Sequence, residues 1–263
     1  MLFRSLKDRS RYKLNAKIYQ KNALPIKNRK NISFFKFALE GLENYHASLG
    51  RYKFPDQYPI SQPRLITTIK RKIPFSAIIK VKIDFCEEII KFYLNSLKKF
   101  CPLGNDSSTY GETVYCDADI VELLNERINL GRFVAQSKLK AGFFLEKISA
   151  EGGSASGGKN KKQLAPIVKQ GLLRGFAGFN EVKMIRAFKI RPPWSNGHDA
   201  TLEKKLRNLK REKEVIKKAK EIARKYTFPL KITEEYFKWI IKETIKIEIE
   251  YLKKAYPQIL SFD

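Results

Sequence analysis

Residues 76–85 read SAIIKVKIDF, and the fold class turns on them. Ala77, Ile79, Val81, Ile83 and Phe85 fall on one face, with Lys80, Lys82 and Asp84 on the other. That alternation is the pattern of a half-buried strand. Just upstream, Arg64 to Lys70 carries Leu65, Ile66 and Ile69 and reads as a second strand, and Pro74 between the two makes a hairpin plausible. Downstream, Glu87 to Phe100 reads as a helix with the stripe Ile89, Ile90, Tyr93, Leu94 and Leu97, its first turn acidic at Glu87 and Glu88. Thr113 to Cys116 reads as a short strand, and Asp117 as the cap of a helix through Ile120, Leu123, Leu124 and Ile128 that ends at Gly131. Phe143 to Ile148 reads as another strand. The order strand, strand, helix, strand, helix predicts a small mixed α+β domain.

Outside this centre the chain changes character. Residues 1–30 read as a basic extension, 31–150 as the α+β domain, 151–163 as a Gly/Ser-rich loop, 164–198 as a basic connecting segment and 199–263 as a helical hairpin. Within 31–150, Ser33 caps a helix through Phe34, Phe37, Ala38, Leu42 and Tyr45 that stops at Gly50, and Pro55, Pro59 and Pro63 punctuate the loop after it. Leu164 to Leu173 reads as a short helix and Val182 to Ile190 as a strand. In the last segment, Asp199 or Thr201 caps a helix to about Tyr226, Pro229 breaks it, and Thr233 caps a second helix to about Tyr256. Two long helices joined so briefly favour an antiparallel pair.

The formal net charge of +26 points to a polyanionic partner, because self-repulsion of that size destabilises a compact chain. The charge is segmental. Residues 1–30 hold ten Lys or Arg against one acid, 201–226 hold eleven against four, and 83–130 reverse the sign with nine acids against four bases. No run of apolar residues is long enough for a transmembrane helix. Met1 to Lys17, Arg-rich and nearly free of acids, has the style of an organelle transit peptide or of a basic arm lying on RNA. Cys86, Cys101 and Cys116 are odd in number and widely spaced, which reads as reduced thiols.

Four constellations bear on chemistry. Gly153, Gly158 and Lys159 fit a phosphate-binding loop, but Asn160 stands where a Mg²⁺-holding Ser or Thr is needed. Asp117, Asp119, Glu122 and Glu126 form an acidic cluster that fits a metal-dependent nuclease or, more blandly, a capped helix with a solvated acidic face. His46 and His198 are the two histidines, and no spacing builds a zinc site. Basic residues interleave with aromatic ones, which suits phosphate contact with base stacking. The expected RNA-binding residues are Arg4, Lys7, Arg9, Arg11, Tyr12, Lys13, Arg51, Tyr52, Lys53, Lys161, Lys162, Lys204, Lys205, Lys210, Arg211, Lys217 and Lys218, with Tyr12 and Tyr52 exposed; no catalytic residue, metal or cofactor is expected.

The arm from Leu2 to Lys30, the Pro-punctuated segment from Phe54 to Pro63 and the Lys-rich helix from Leu202 to Tyr226 together resemble organellar ribosomal proteins in general character. The resemblance implies a structural, RNA-binding, non-enzymatic subunit of a ribonucleoprotein, packed against ribosomal RNA and neighbouring proteins in a mitochondrial or other organellar matrix, or otherwise the cytoplasm. A metal-dependent nuclease using Asp117, Asp119 and Glu122 is the alternative.

Overall fold

The computed structural model describes residues 1–64, 66, 68, 69, 78–140, 203, 204 and 206–256. Its elements are helices: α1 (Leu2–Arg9), α2 (Phe34–Ser48), α3 (Cys86–Leu97), α4 (Tyr110–Asn129), α5 (Gly131–Lys140), α6 (Leu209–Lys225) and α7 (Leu230–Ala255), with short 3-10 turns at Ala16–Tyr19, Arg51–Lys53 and Ser107–Thr109. Among the described residues there is no strand, so the α+β expectation is corrected to an all-helical bundle. The expected elements at 143–148, 164–173 and 182–190, and the Gly153 to Asn160 loop, lie outside the described residues.

The deciding stretch fails as a strand for a physical reason. From residue 78 onward it has no regular secondary structure, and among the described residues no neighbouring strand pairs with it. Ile78 and Ile83 are the buried residues, five apart, while Ile79 of the expected inner face is 46% exposed. Side chains satisfy its backbone instead. Ile79 N donates to Tyr251 Oη at 3.1 Å, Val81 O accepts from Arg132 Nη1 at 2.7 Å, and Lys82 O accepts from Lys254 Nζ at 3.1 Å. A segment tied down in this way needs no ladder.

Thr113 to Cys116, also expected as strand, is the second turn of α4. Thr113, Val114 and Asp117 all face the interior, so packing overrides β propensity there. Asp117 is therefore not a cap but a buried mid-helix residue.

Where period 3.6 is strong, the helices sit close to expectation. Ser33 caps α2, its Oγ accepting from Lys36 N at 3.2 Å, and Gly50 takes a positive φ of 73° just past the end. Ile89, Tyr93 and Leu97 of α3 are buried together. α6 starts later than Thr201, at an Asn208 cap whose side chain accepts from Arg211 N. α7 doubles back along α6: Lys220 pairs with Glu234 near the turn, and Lys138 bridges Leu206 to Glu248 at the far end. No helix among the described residues is long and apolar enough to cross a membrane.

α1 lies in the core rather than along a surface. Leu2, Phe3 and Leu6 are buried, and Phe3 stacks on Phe237 of α7 at 5.7 Å between ring centroids. Arg9 is fully buried, its Nε 2.6 Å from Asp117 Oδ1. Tyr19 Oη donates to Asp117 Oδ2 at 2.6 Å and Tyr93 Oη to Oδ1 at 2.5 Å. A buried pair supported by further hydrogen bonds is the arrangement that can offset its own desolvation.

Candidate functional site

The expected RNA-binding residues do not form one surface. Arg9 is internal, and Tyr52, expected exposed, is 7% exposed. Arg51 sits between α2 and α4, paired with Glu122 and Glu126. Arg4, Arg11, Lys13, Lys53, Lys204, Lys210, Arg211, Lys217 and Lys218 are exposed, Lys7 and Tyr12 are half-buried, and Lys161, Lys162 and Lys205 lie outside the described residues. The acidic cluster is dispersed as well. Asp117 holds Arg9, Asp119 accepts from Ser5 Oγ at 2.7 Å, and Glu122 faces His46 and Arg51. Among the described residues, no group of three or more His, Cys, Asp or Glu side chains is placed to hold a metal ion. The three cysteines are free, and burial pushes the Cys86 and Cys101 thiols up to about 12, which makes them poor nucleophiles.

A different set converges where α5 and α7 meet the residues just before α6. α5 starts at Gly131, directly on α7: a Cβ at this position would lie 2.7 Å from Thr244 O. The close approach carries Lys138, two turns along α5, to Glu248, one turn beyond Thr244 on α7. Lys138 Nζ lies 2.7 Å from Glu248 Oε2 and donates to Leu206 O at 2.9 Å. The Glu248 side chain is 4% exposed. Burial raises its pKa above the usual carboxylate range, against the pull of Lys138.

Neighbouring side chains are held by their own partners. Thr244 Oγ1 donates to Ile240 O at 2.7 Å. Gln136 Oε1 accepts from Tyr251 Oη at 2.8 Å and Tyr256 Oη at 2.6 Å. At the start of α6, Arg207 grips Glu212 through Nε at 3.0 Å and Nη2 at 2.7 Å. The arrangement offers cations and a carboxyl able to carry a proton. It is suited to binding an anion and placing hydrogen-bond donors on one of its oxygens.

Sequence reasoning missed Glu248 and Glu212. The available signal was Glu248 itself, a carboxylate between Ile245, Ile249 and Leu252 on the apolar side of a helix. A charge at a core position needs a partner. Nothing in one sequence says that the partner lies 110 residues away.

No family model matches the chain. It is 30% identical over 141 residues to the chloroplastic chorismate mutase 1 of Arabidopsis thaliana, an alignment covering 52% of this chain and 41% of that protein. It is 29% identical over 140 residues to the chorismate mutase of Schizosaccharomyces pombe, covering 51% and 55%. The match thus spans about half the length of the curated relatives. Among solved structures, a chorismate mutase from Candida albicans in complex with L-Trp has a similar fold, with a TM-score of 0.70 and 22% identity over 95% of this chain and 84% of that one. The all-helical fold is thereby the one seen in chorismate mutases.

These findings overturn the ribosomal resemblance, the RNA partner, the non-enzymatic role and the nuclease alternative. The basic segments misled because several of their residues serve the fold. Arg9, Arg51 and Lys138 pair with carboxylates between helices, and Arg29, Arg207 and Lys220 pair nearer the surface.

Proposed function

We propose that this protein is a chorismate mutase, converting chorismate to prephenate. The observation that carries the reading is the Lys138–Glu248 pair, set between α5 and α7 in a fold shared with a solved chorismate mutase. The chemistry suits such a site. Chorismate is a dianion, and its rearrangement breaks an ether C–O bond as a C–C bond forms within the same molecule. No nucleophile, metal or external proton is consumed. A protein accelerates such a step by holding the reactive conformer and by stabilising the negative charge that grows on the ether oxygen.

In this reading Lys138 gives that oxygen an N–H donor. Glu248, whose pKa burial raises against the pull of Lys138, gives an O–H donor in its protonated form. A small aromatic amino acid, of the kind bound to the Candida albicans neighbour, replaces RNA as the further partner. An organellar compartment agrees with the chloroplastic relative; mitochondrion and plastid are separated by imaging the tagged protein in its own cells.

The test is direct. Purified protein is mixed with chorismate, and loss of chorismate is followed together with appearance of prephenate. Turnover that falls by about 10²–10³ in Lys138→Ala supports the proposal. A folded protein that leaves chorismate untouched rejects it.

A further inference from the structure

A second buried pair of acids lies away from this site. Glu43 on α2 is fully buried, and Glu122 on α4 is 4% exposed. Glu43 receives three donors from the strap that follows the Arg51–Lys53 turn. Ile60 N donates to Oε1, and Ser61 N (2.7 Å) and Ser61 Oγ donate to Oε2. Glu122 turns Oε2 toward His46 Nδ1 at 3.6 Å and Arg51 Nη1 at 3.9 Å. Its other oxygen, Oε1, is buried and meets no donor. Glu122 meets α2 at His46, one turn beyond Glu43, and the two carboxyls act on each other directly. Two carboxylates cannot bond to each other unless one carries a proton, and a proton between them would satisfy the orphaned oxygen.

We propose that Glu43 and Glu122 share one proton at neutral pH, and that this proton latches the strap around Ile60 and Ser61 to α2 and α4. The charged and titratable groups facing the pair are His46 on α2, Arg51 and Tyr52 on the following turn, Cys86 at the start of α3, and Asp119 and Glu126 on α4. Arg51 is the one permanent cation among them, and it is divided between Glu122 and Glu126. One positive charge does not neutralise two buried carboxylates. Burial first, then Glu122 itself, pushes Glu43 up to about 8. The strap is a wall of a groove of about 1450 Å³, lined also by Tyr52, Lys80 and Asn125. Loss of the proton would therefore loosen one side of that groove.

The sign follows from the direction of the shift. The folded chain binds a proton that the unfolded chain gives up near 4.5, so stability falls as pH rises from there to about 8. Glu122→Gln places an amide N–H where the proton sits and leaves the other oxygen facing Arg51. Glu43→Gln instead turns an amide N–H toward the Ile60 or Ser61 donors.

Urea unfolding of the parent and both variants across this pH range tests the idea. Relative to the parent, the unfolding equilibrium constant of Glu122→Gln should fall by up to about tenfold for each pH unit of rise across this range. Glu43→Gln should be the less stable variant at every pH. Limited proteolysis of the strap should quicken above about pH 8 in the parent and not in Glu122→Gln. A Glu122→Gln protein whose stability tracks the parent at constant offset would overturn the proposal, as would equal stability of the two variants.

Discussion

At the scale of single residues, two buried charge pairs do different work. Arg9 and Asp117 are both fully buried and tie α1 to α4, with Tyr19 and Tyr93 completing the bonds. Removing one partner of such a pair strands the other, at a cost of about 3–5 kcal/mol. Asp117→Ala should lose that much stability in chemical denaturation, while Arg4→Ala, on an exposed side chain, should be nearly neutral. Lys138 and Glu248 belong to the proposed site. Losing one preorganised donor to a developing oxyanion costs about 10²–10³ in kcat, and Lys138→Ala should fall in that range in protein that remains folded, with some loss of stability because Glu248 and Leu206 O lose their partner. Glu248 acts through its protonated form, and burial raises its pKa. The rate should therefore be highest at acid pH and fall as Glu248 ionises. Glu248→Gln, which keeps a donor without a titrating proton, should flatten that limb; a profile that falls as before would show that Glu248 is not the group responsible.

At the scale of elements, the approach of α5 to α7 decides whether the site assembles. A Cβ at Gly131 would lie 2.7 Å from Thr244 O, a backbone atom that no rotamer change can move. Gly131→Ala should push α5 away from α7, lowering stability by about 1–3 kcal/mol and lowering activity further by displacing Lys138; unchanged melting and turnover would refute the close packing. The same scale shows what a sequence reveals. α2 and α3 were legible because a cap at Ser33 and a stripe at Ile89, Tyr93 and Leu97 are local signals. Residues 78–85 were misread because alternation of Ile, Val and Lys records only which side chains are apolar. Whether another strand lies alongside is a fact about distant residues. Thr113 to Cys116 was misread because β-branched and aromatic side chains suit a strand, yet packing holds them in the 20-residue α4. The proposed site was not legible, since Lys138, Leu206 and Glu248 come from three separate parts of the chain.

At the scale of the molecule, a net charge of +26 suggested a chain built on a polyanion, with its first thirty residues as an arm. The fold uses the beginning of the chain otherwise. Leu2, Phe3 and Leu6 enter the same core as Phe228, Phe237 and Tyr236, far along the sequence, and Cys101 Sγ approaches Arg9 O at 3.9 Å. Leu14 N and Asn15 N bond to Pro102 O and Gly104 O, which fastens the next stretch to the loop between α3 and α4. Burying a large apolar side chain contributes about 1.5–3 kcal/mol, and a whole domain is stable by only about 5–15 kcal/mol. Three such side chains and a buried ion pair are then a large share of what keeps the bundle folded. Deleting residues 1–13 should abolish the cooperative thermal transition seen by circular dichroism, even though it removes five of the basic residues whose mutual repulsion opposes folding. If repulsion between basic residues dominated instead, the shortened chain would melt at the same temperature or higher, and α1 would be no more than a charged appendage.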